Sequence, residues 1–194
     1  MSNLYITKTV YATFIAMFIG LSGWPYPFLP RHLTVVSTLA IGVPSFVLAL
    51  APNPRRYVPG FVLRVVRFTV PSGAVIAVAA VSAYGVARHV DSVTVREART
   101  CATIVLLGAS LWVLVLLARP FTRGRTVLVL VMATGFVGAL TVPPLRDFYE
   151  LDVPSAGAPR LATAIAVLGA VVALELSRRW FPDRFARSGS AGPE

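Results

Sequence analysis

Arg31-His-Leu-Thr-Val-Val-Ser-Thr-Leu-Ala-Ile-Gly-Val-Pro-Ser-Phe-Val-Leu-Ala-Leu-Ala-Pro52 decides how the rest of the chain is read. This segment has the length and apolarity of a membrane-crossing helix, yet Gly42-Val43-Pro44 sits at its centre. Proline has no amide donor and clashes with the preceding turn, so carbonyls near Leu39 and Ala40 lose their helical partners where no water can replace them. Two readings of the segment alone stay open. One is a packing kink whose freed carbonyls are satisfied by neighbouring helices; the other is a broken helix that turns its carbonyls toward a cation.

The composition places this segment among others of its kind. Of 194 residues, 56% are hydrophobic and only 13% charged, and the mean hydropathy is +0.75. Such a chain is too apolar for a soluble domain and reads as an integral membrane protein. The net charge of +10 does not indicate nucleic acid, because the basic residues lie singly or in small groups between apolar runs instead of forming one basic face. Cys101 stands alone, so neither a disulfide framework nor a cysteine metal site can be built within the chain. The start, Met-Ser-Asn-Leu-Tyr-Ile-Thr-Lys8, lacks a basic n-region and a small-residue cleavage site, so the first apolar run is expected to be retained.

With roughly 20 apolar residues needed for each crossing, the chain reads as an all-α polytopic bundle of six transmembrane helices, over 4–21, 33–50, 68–87, 101–118, 127–142 and 161–176. Trp24-Pro-Tyr-Pro-Phe-Leu-Pro30 makes a tight first hairpin with interfacial aromatics, and Pro143-Pro144 closes the fifth span. Lys8, Arg55, Arg56, Arg64, Arg67, Arg119, Arg123, Arg125 and the tail arginines fall on one side of this pattern. Arg31, Arg88, Arg96, Arg99, Arg146 and Arg160 fall on the other. The positive-inside rule then puts both termini in the cytoplasm of a multi-pass plasma-membrane protein. Residues 53–67 mix apolar side chains with four arginines and read as a snorkelling interfacial linker. Small residues four apart, Gly73 with Ala77 and Gly135 with Ala139, mark faces where helices can approach closely. Residues 188–194 form a low-complexity tail expected to be disordered.

Motifs of ATP chemistry are absent. No aspartate lies in an Asp-Lys-Thr-Gly context, and Lys8 is the single lysine, which rules out a Walker-type loop. His32 and His89 read as ordinary interfacial histidines. Within the spans the ionisable residues are Lys8, one turn into the first, and Glu175, at the end of the last, where Arg178 or Arg179 is its expected partner. Oxygens near the broken helix come from Thr7, Thr9, Tyr11, Thr13, Ser37, Thr38 and Ser45. Calcium prefers six to eight oxygens including carboxylates, so this chain alone does not complete a calcium site.

Thr7-Lys-Thr-Val-Tyr-Ala12, Pro25-Tyr-Pro-Phe-Leu-Pro-Arg-His32, Ser37-Thr-Leu-Ala-Ile-Gly-Val-Pro-Ser45 and Arg55-Arg-Tyr-Val-Pro-Gly-Phe61 together resemble P-type cation-transporting ATPases. The resemblance covers nearly the whole chain. It is to their C-terminal membrane region, helices five to ten, and is nearest to the bacterial subgroup called cation-transporting ATPase E, which is associated with calcium. It implies that the first two spans line the ion path, with Lys8, Thr9, Ser37, Thr38, Gly42 and Pro44 as candidate pathway residues facing one another. Where better-known calcium pumps carry an aspartate, this chain has Ile41, and Lys8 stands where an acidic ligand is missing, as a built-in countercharge. The resemblance also implies that ATP and magnesium bind domains this chain lacks. No catalytic or cofactor-binding residue is therefore expected here, and the chain is expected to be a gene fragment, or a free-standing subunit that joins a partner, surrounded by lipid. The rival expectation is a non-enzymatic membrane scaffold or regulatory subunit whose arginine loops bind anionic lipid or a partner.

Overall fold

The computed structural model describes residues 2–50, 61–119, 122–155 and 157–180. Among them, six helices are long and apolar enough to cross a membrane, and no strand occurs. The chain is a multi-pass, all-helical membrane protein. In order the elements are α1 (Ser2–Ser22), α2 (Pro30–Ser37), a π-helical turn (Thr38–Gly42), α3 (Val43–Leu50), α4 (Phe61–Arg88), α5 (Val95–Ala118), α6 (Arg123–Thr141), α7 (Pro143–Tyr149) and α8 (Gly157–Trp180). The end of the bundle where α1 begins is called proximal below, and the end where α1 finishes, distal. Residues 51–60, the first part of the arginine-rich linker, and the tail at 188–194 lie outside the described residues.

At the centre stands α5. Some 67% of its apolar stretch is buried in the bundle, against 17% for α6 at the edge. Its start is fixed by a capping box: Thr94 Oγ1 accepts the Glu97 N–H at 3.2 Å, and Glu97 Oε2 accepts the Thr94 N–H at 2.8 Å. Against α5 packs α4, whose Ile76, Ala80, Ala83, Tyr84 and Ala87 recur at three- and four-residue spacing and are almost wholly buried. The same helix also packs against α1. A Cβ on Gly73 would lie 2.5 Å from Val10 Cγ1 and 3.1 Å from the Tyr11 amide nitrogen, so this crossing needs glycine. The inward stripe of α1 is Leu4, Thr7, Tyr11, Ile15 and Ile19. Outward residues such as Val78, Leu130 and Leu168 remain uncovered, as expected of surfaces that meet lipid.

Of the two readings of the second span, a fully broken helix is not what forms, because its backbone stays helical throughout and merely widens. In the turn Thr38–Gly42 the ladder switches to i→i−5, and the Val43 N–H reaches the Thr38 carbonyl before α3 resumes. Pro44, which has no N–H to contribute, follows directly where the α-helical ladder has already been interrupted. The widened turn is held from both sides. Ala40 and Ile41 are buried, and Leu39 lies against Gly135 of α6, where a Cβ would come within 3.0 Å of Leu39 Cδ2.

At the distal end the connections are tied to one another. The Tyr84 hydroxyl donates to the Pro25 carbonyl at 3.0 Å, and Arg99 Nε donates to the Tyr26 carbonyl at 3.2 Å. Arg88 lies over the Trp24 ring, 5.1 Å from its centroid. Pro143-Pro144 does more than close the fifth span. The prolines occupy the first turn of α7, where their missing N–H groups have no helical role. That short helix and the stretch of chain after it fold back over α2 and α5. Arg31 pairs with Glu150 at 2.8 Å and donates to the Phe148 carbonyl at 3.1 Å, Arg96 pairs with Asp152 at 2.9 Å, and the Asp152 N–H donates to Thr100 Oγ1 at 2.9 Å. His32 is covered as a result. Instead of sitting at the interface it is fully buried, with Nδ1 accepting the Leu29 N–H at 3.3 Å, while His89 stays exposed.

Candidate functional site

A cavity of about 10 Å³, at the lower limit for one water molecule, lies where α1, the π-helical turn and α5 meet. It is lined by Leu4, Thr7 and Tyr11 from α1, Ala40 and Ile41 from the turn, and Ser110 and Val113 from α5. Thr7 and Tyr11 reach it together because residues four apart on a helix share a face. The turn reaches it because Pro44 and the i→i−5 register push Ala40 and Ile41 inward.

The polar atoms around this cavity are under-satisfied. Thr7 Oγ1 is buried and has no hydrogen-bond partner among the described residues, while Ser110 Oγ, also buried, faces the Tyr11 hydroxyl. Ser45 Oγ, just past Pro44, is like Thr7 Oγ1 buried without a partner. A buried hydroxyl left without a partner costs about 1–3 kcal/mol, so two around one interrupted turn form a place where an added oxygen-seeking group is stabilised. Thr69 and Ser72, which flank Pro71 in α4, are also buried without a hydroxyl partner but do not line the cavity.

All the side-chain oxygens here are neutral. No carboxylate lines the cavity, and no group of three His, Cys, Asp or Glu that could hold a metal occurs among the described residues. The side-chain chemistry available is that of hydroxyl dipoles, which can solvate a dehydrated cation without neutralising it.

The six residues singled out from sequence separate into two sets. Lys8 and Ser37 come together: Lys8 Nζ donates to Ser37 Oγ at 2.7 Å, with both side chains half-buried. Gly42 and Pro44 end the widened turn and follow it, Gly42 exposed and Pro44 buried. Thr9 and Thr38 are not brought to them. Both are exposed, and Thr9 donates its hydroxyl to the Tyr5 carbonyl at 3.2 Å while lining an outward groove with Ile6, Val10, Thr13, Phe14 and Val70. Glu175 meets Arg119 of the α5–α6 connection at 3.1 Å; the side chains of Arg178 and Arg179, its expected partners, lie outside the described ones. Ser110 is not legible from sequence as a site residue. Its only signal is the one serine in the most apolar of the six described spans.

A six-span helical membrane domain with an interrupted second span and a small polar cavity beside the interruption defines the class. Sequence comparison gives the family. The chain is 36% identical over 184 residues to "Calcium-transporting ATPase CtpE" of Mycolicibacterium smegmatis, covering 88% of this chain and 23% of that protein. It is 37% identical over 182 residues to the proteins of the same name from Mycobacterium bovis and Mycobacterium tuberculosis, covering 87% of this chain and 23% of each. By sequence it belongs to the P-type cation-transporting ATPases, and it spans about a quarter of the length of these relatives. No family model and no solved structure matches the chain.

Proposed function

We propose that this chain is the membrane, ion-pathway part of an ATP-driven cation pump, and that the pathway passes through the cavity between α1, the π-helical turn and α5. The observation that carries this reading is the buried, unpartnered Thr7 Oγ1, with the Tyr11 and Ser110 hydroxyls on the same cavity, beside a backbone turn widened at mid-span. Interrupted helices within a membrane are tolerated where they line a cavity, and there their carbonyls serve as cation ligands. The relatives' printed name suggests calcium as the transported ion. Carboxylates that calcium prefers, and the machinery that hydrolyses ATP, would then be supplied by parts of the pump other than the residues described here. In this reading the proximal end, with Arg119, Arg123 and Arg125, faces the cytoplasm of a plasma-membrane protein.

The test uses the full chain purified into lipid nanodiscs. Its thermal unfolding is followed while calcium, magnesium or potassium chloride is titrated, since a ligand that binds only the folded state raises the midpoint in proportion to the logarithm of its concentration. Calcium is expected to raise it, and Thr7→Val or Ser110→Ala to blunt the rise. A midpoint that no cation moves would remove the pathway reading and leave a scaffold.

A further inference from the structure

His32 stands in the first turn of α2, at the distal end of the second span, and is fully buried. Its cover is α7 with the residues just after it, which pack against α2 and are anchored by the buried Leu151. The ring is engaged from two sides. Nδ1 accepts the Leu29 N–H at 3.3 Å, so Nδ1 carries no proton and the neutral ring keeps its one proton on Nε2. Nε2 is buried as well and faces the Tyr149 and Glu150 carbonyls, at looser than ordinary hydrogen-bond geometry. One ring therefore joins the start of α2 to the end of α7.

A second proton does not fit this site. It would sit on Nδ1, where it meets the Leu29 N–H, donor against donor. The charges around the ring offer little compensation. Glu150, after α7, is the carboxylate that faces it, but Arg31 of α2 already holds Glu150 at 2.8 Å, and Arg99 of α5 adds a second cation nearby. Farther out, Asp152 is occupied by Arg96 and Arg146. The cover itself is lightly held. Glu150 lies in the left-handed region at φ 53°, unfavourable for a residue other than glycine, and its pair with Arg31 is partly exposed.

We propose that His32 is a proton-operated latch at the distal end of the second span: the neutral ring keeps α7 closed over the start of α2, and a proton taken up from the distal side opens that cover. Opening frees α2, which runs directly into the widened turn. The latch stands whether or not the cavity conducts an ion; where it does, the distal end of the path responds to the pH on that side. The ordinary alternative is a core histidine that takes up a proton only when the whole bundle unfolds.

Hydrogen exchange of the full chain in phosphatidylcholine nanodiscs, read by peptide mass spectrometry and corrected for the intrinsic effect of pH, reports cover and bundle separately. The Leu151 N–H, bonded to the Arg146 carbonyl at 2.9 Å, and the Asp152 N–H, bonded to Thr100, report the cover, and the amides within α5 report the bundle. A closed form that takes no proton and an open form with an ordinary histidine, pKa about 6.5, give an open fraction that grows about tenfold from pH 7.5 to 5.5. The closed form is thus favoured above that pKa and loses ground as pH falls. Exchange over 145–152 is expected to quicken by that factor while α5 keeps its protection. His32→Asn, whose side-chain oxygen can still accept the Leu29 N–H but does not titrate, should leave the cover closed at both pH values. His89→Gln, at the other of the chain's two histidines, should leave the wild-type rise intact. Cover exchange that ignores pH, a rise that persists in His32→Asn, or loss of protection in α5 in step with the cover would each overturn the latch. Should His32→Asn fail to fold, wild type and His89→Gln decide: a rise confined to the cover and kept in His89→Gln supports the latch, and one abolished by His89→Gln overturns it.

Discussion

The distal end and the interior around the π-helical turn treat polar groups in opposite ways. At the distal end they are paired several times over. Arg31 holds both the Glu150 carboxylate and the Phe148 carbonyl, Asp152 is met by Arg96 and by Thr100, and the Tyr84 hydroxyl and Arg99 guanidinium each take a carbonyl of the α1–α2 connection. Around the turn, Thr7 and Ser45 bury hydroxyls that find no partner. A saturated network fixes geometry, whereas an unsaturated one leaves positions that only a water, an ion or a rearrangement can fill. The first region therefore behaves as the frame, and the second as the part that changes occupant.

The largest effect on this contrast should come from Gly73, which sets how closely α1 can approach α4 and hence where Thr7 and Tyr11 stand. Gly73→Leu should prevent the crossing altogether, giving protein that elutes as aggregate on size exclusion in detergent. Gly73→Ala should cost about 1–3 kcal/mol, read as a lowered thermal midpoint, because the added Cβ meets Val10 and the Tyr11 backbone. Unchanged midpoints for Ala would mean that α1 is free to shift, and the cavity with it. Next in size, Tyr84→Phe removes a single bond from the frame and should lower stability by about 0.6–1 kcal/mol in denaturant titration.

Smaller still, Arg31→Gln breaks an ion pair whose side chains are 46% and 32% exposed, so its cost should stay under about 1 kcal/mol and shrink as salt is added. A loss well above that would show the pairing at this end to be cooperative instead of piecemeal. The sharpest contrast is expected from Thr7→Val, which keeps the shape and deletes an unpartnered hydroxyl. In cation-free buffer it should leave stability unchanged or raise it slightly, opposite in sign to Tyr84→Phe, since no bond is lost and a desolvated oxygen is removed. Destabilisation by Thr7→Val as large as that by Tyr84→Phe would show that the cavity is satisfied after all, and would erase the distinction between the two regions.

Much of the architecture is legible in the sequence because hydropathy and length alone constrain a membrane chain: six apolar helices follow from six apolar runs. The site of the interruption is legible too, from Gly42-Val43-Pro44, but its form is not. Proline fixes only which donor is missing; whether the backbone unwinds, kinks or widens depends on what packs against it, here Leu39 on Gly135 and Ala40 and Ile41 facing α1 and α5. The same limit explains the site residues. Thr9 and Thr38 are neighbours in sequence of Lys8 and Ser37, yet adjacent helical positions differ by about 100° in direction, so one of each pair turns inward and the other out. Ser110 enters the cavity because of how α5 is rotated, a tertiary quantity that a lone serine in an apolar run does not encode. The burial of His32 escapes the sequence for a related reason, since α7 and the chain after it cover it, and a seven-residue helix begun by two prolines gives little warning of where it will lie.

A π-helical turn holds one residue more than the α-helical turn it replaces, so Thr38–Gly42 carries a residue of slack in the middle of the second span. Taking up that slack would wind α3 on by one position, about 1.5 Å along its axis and 100° around it. Phe46 and Val47, now on the outside, would sweep toward the place where Pro44 and Ser45 are buried, while the ends of the bundle need hardly move. The span is in this sense a screw with one thread to spare: rotation about its own axis can exchange which oxygens face the cavity without any helix sliding past another.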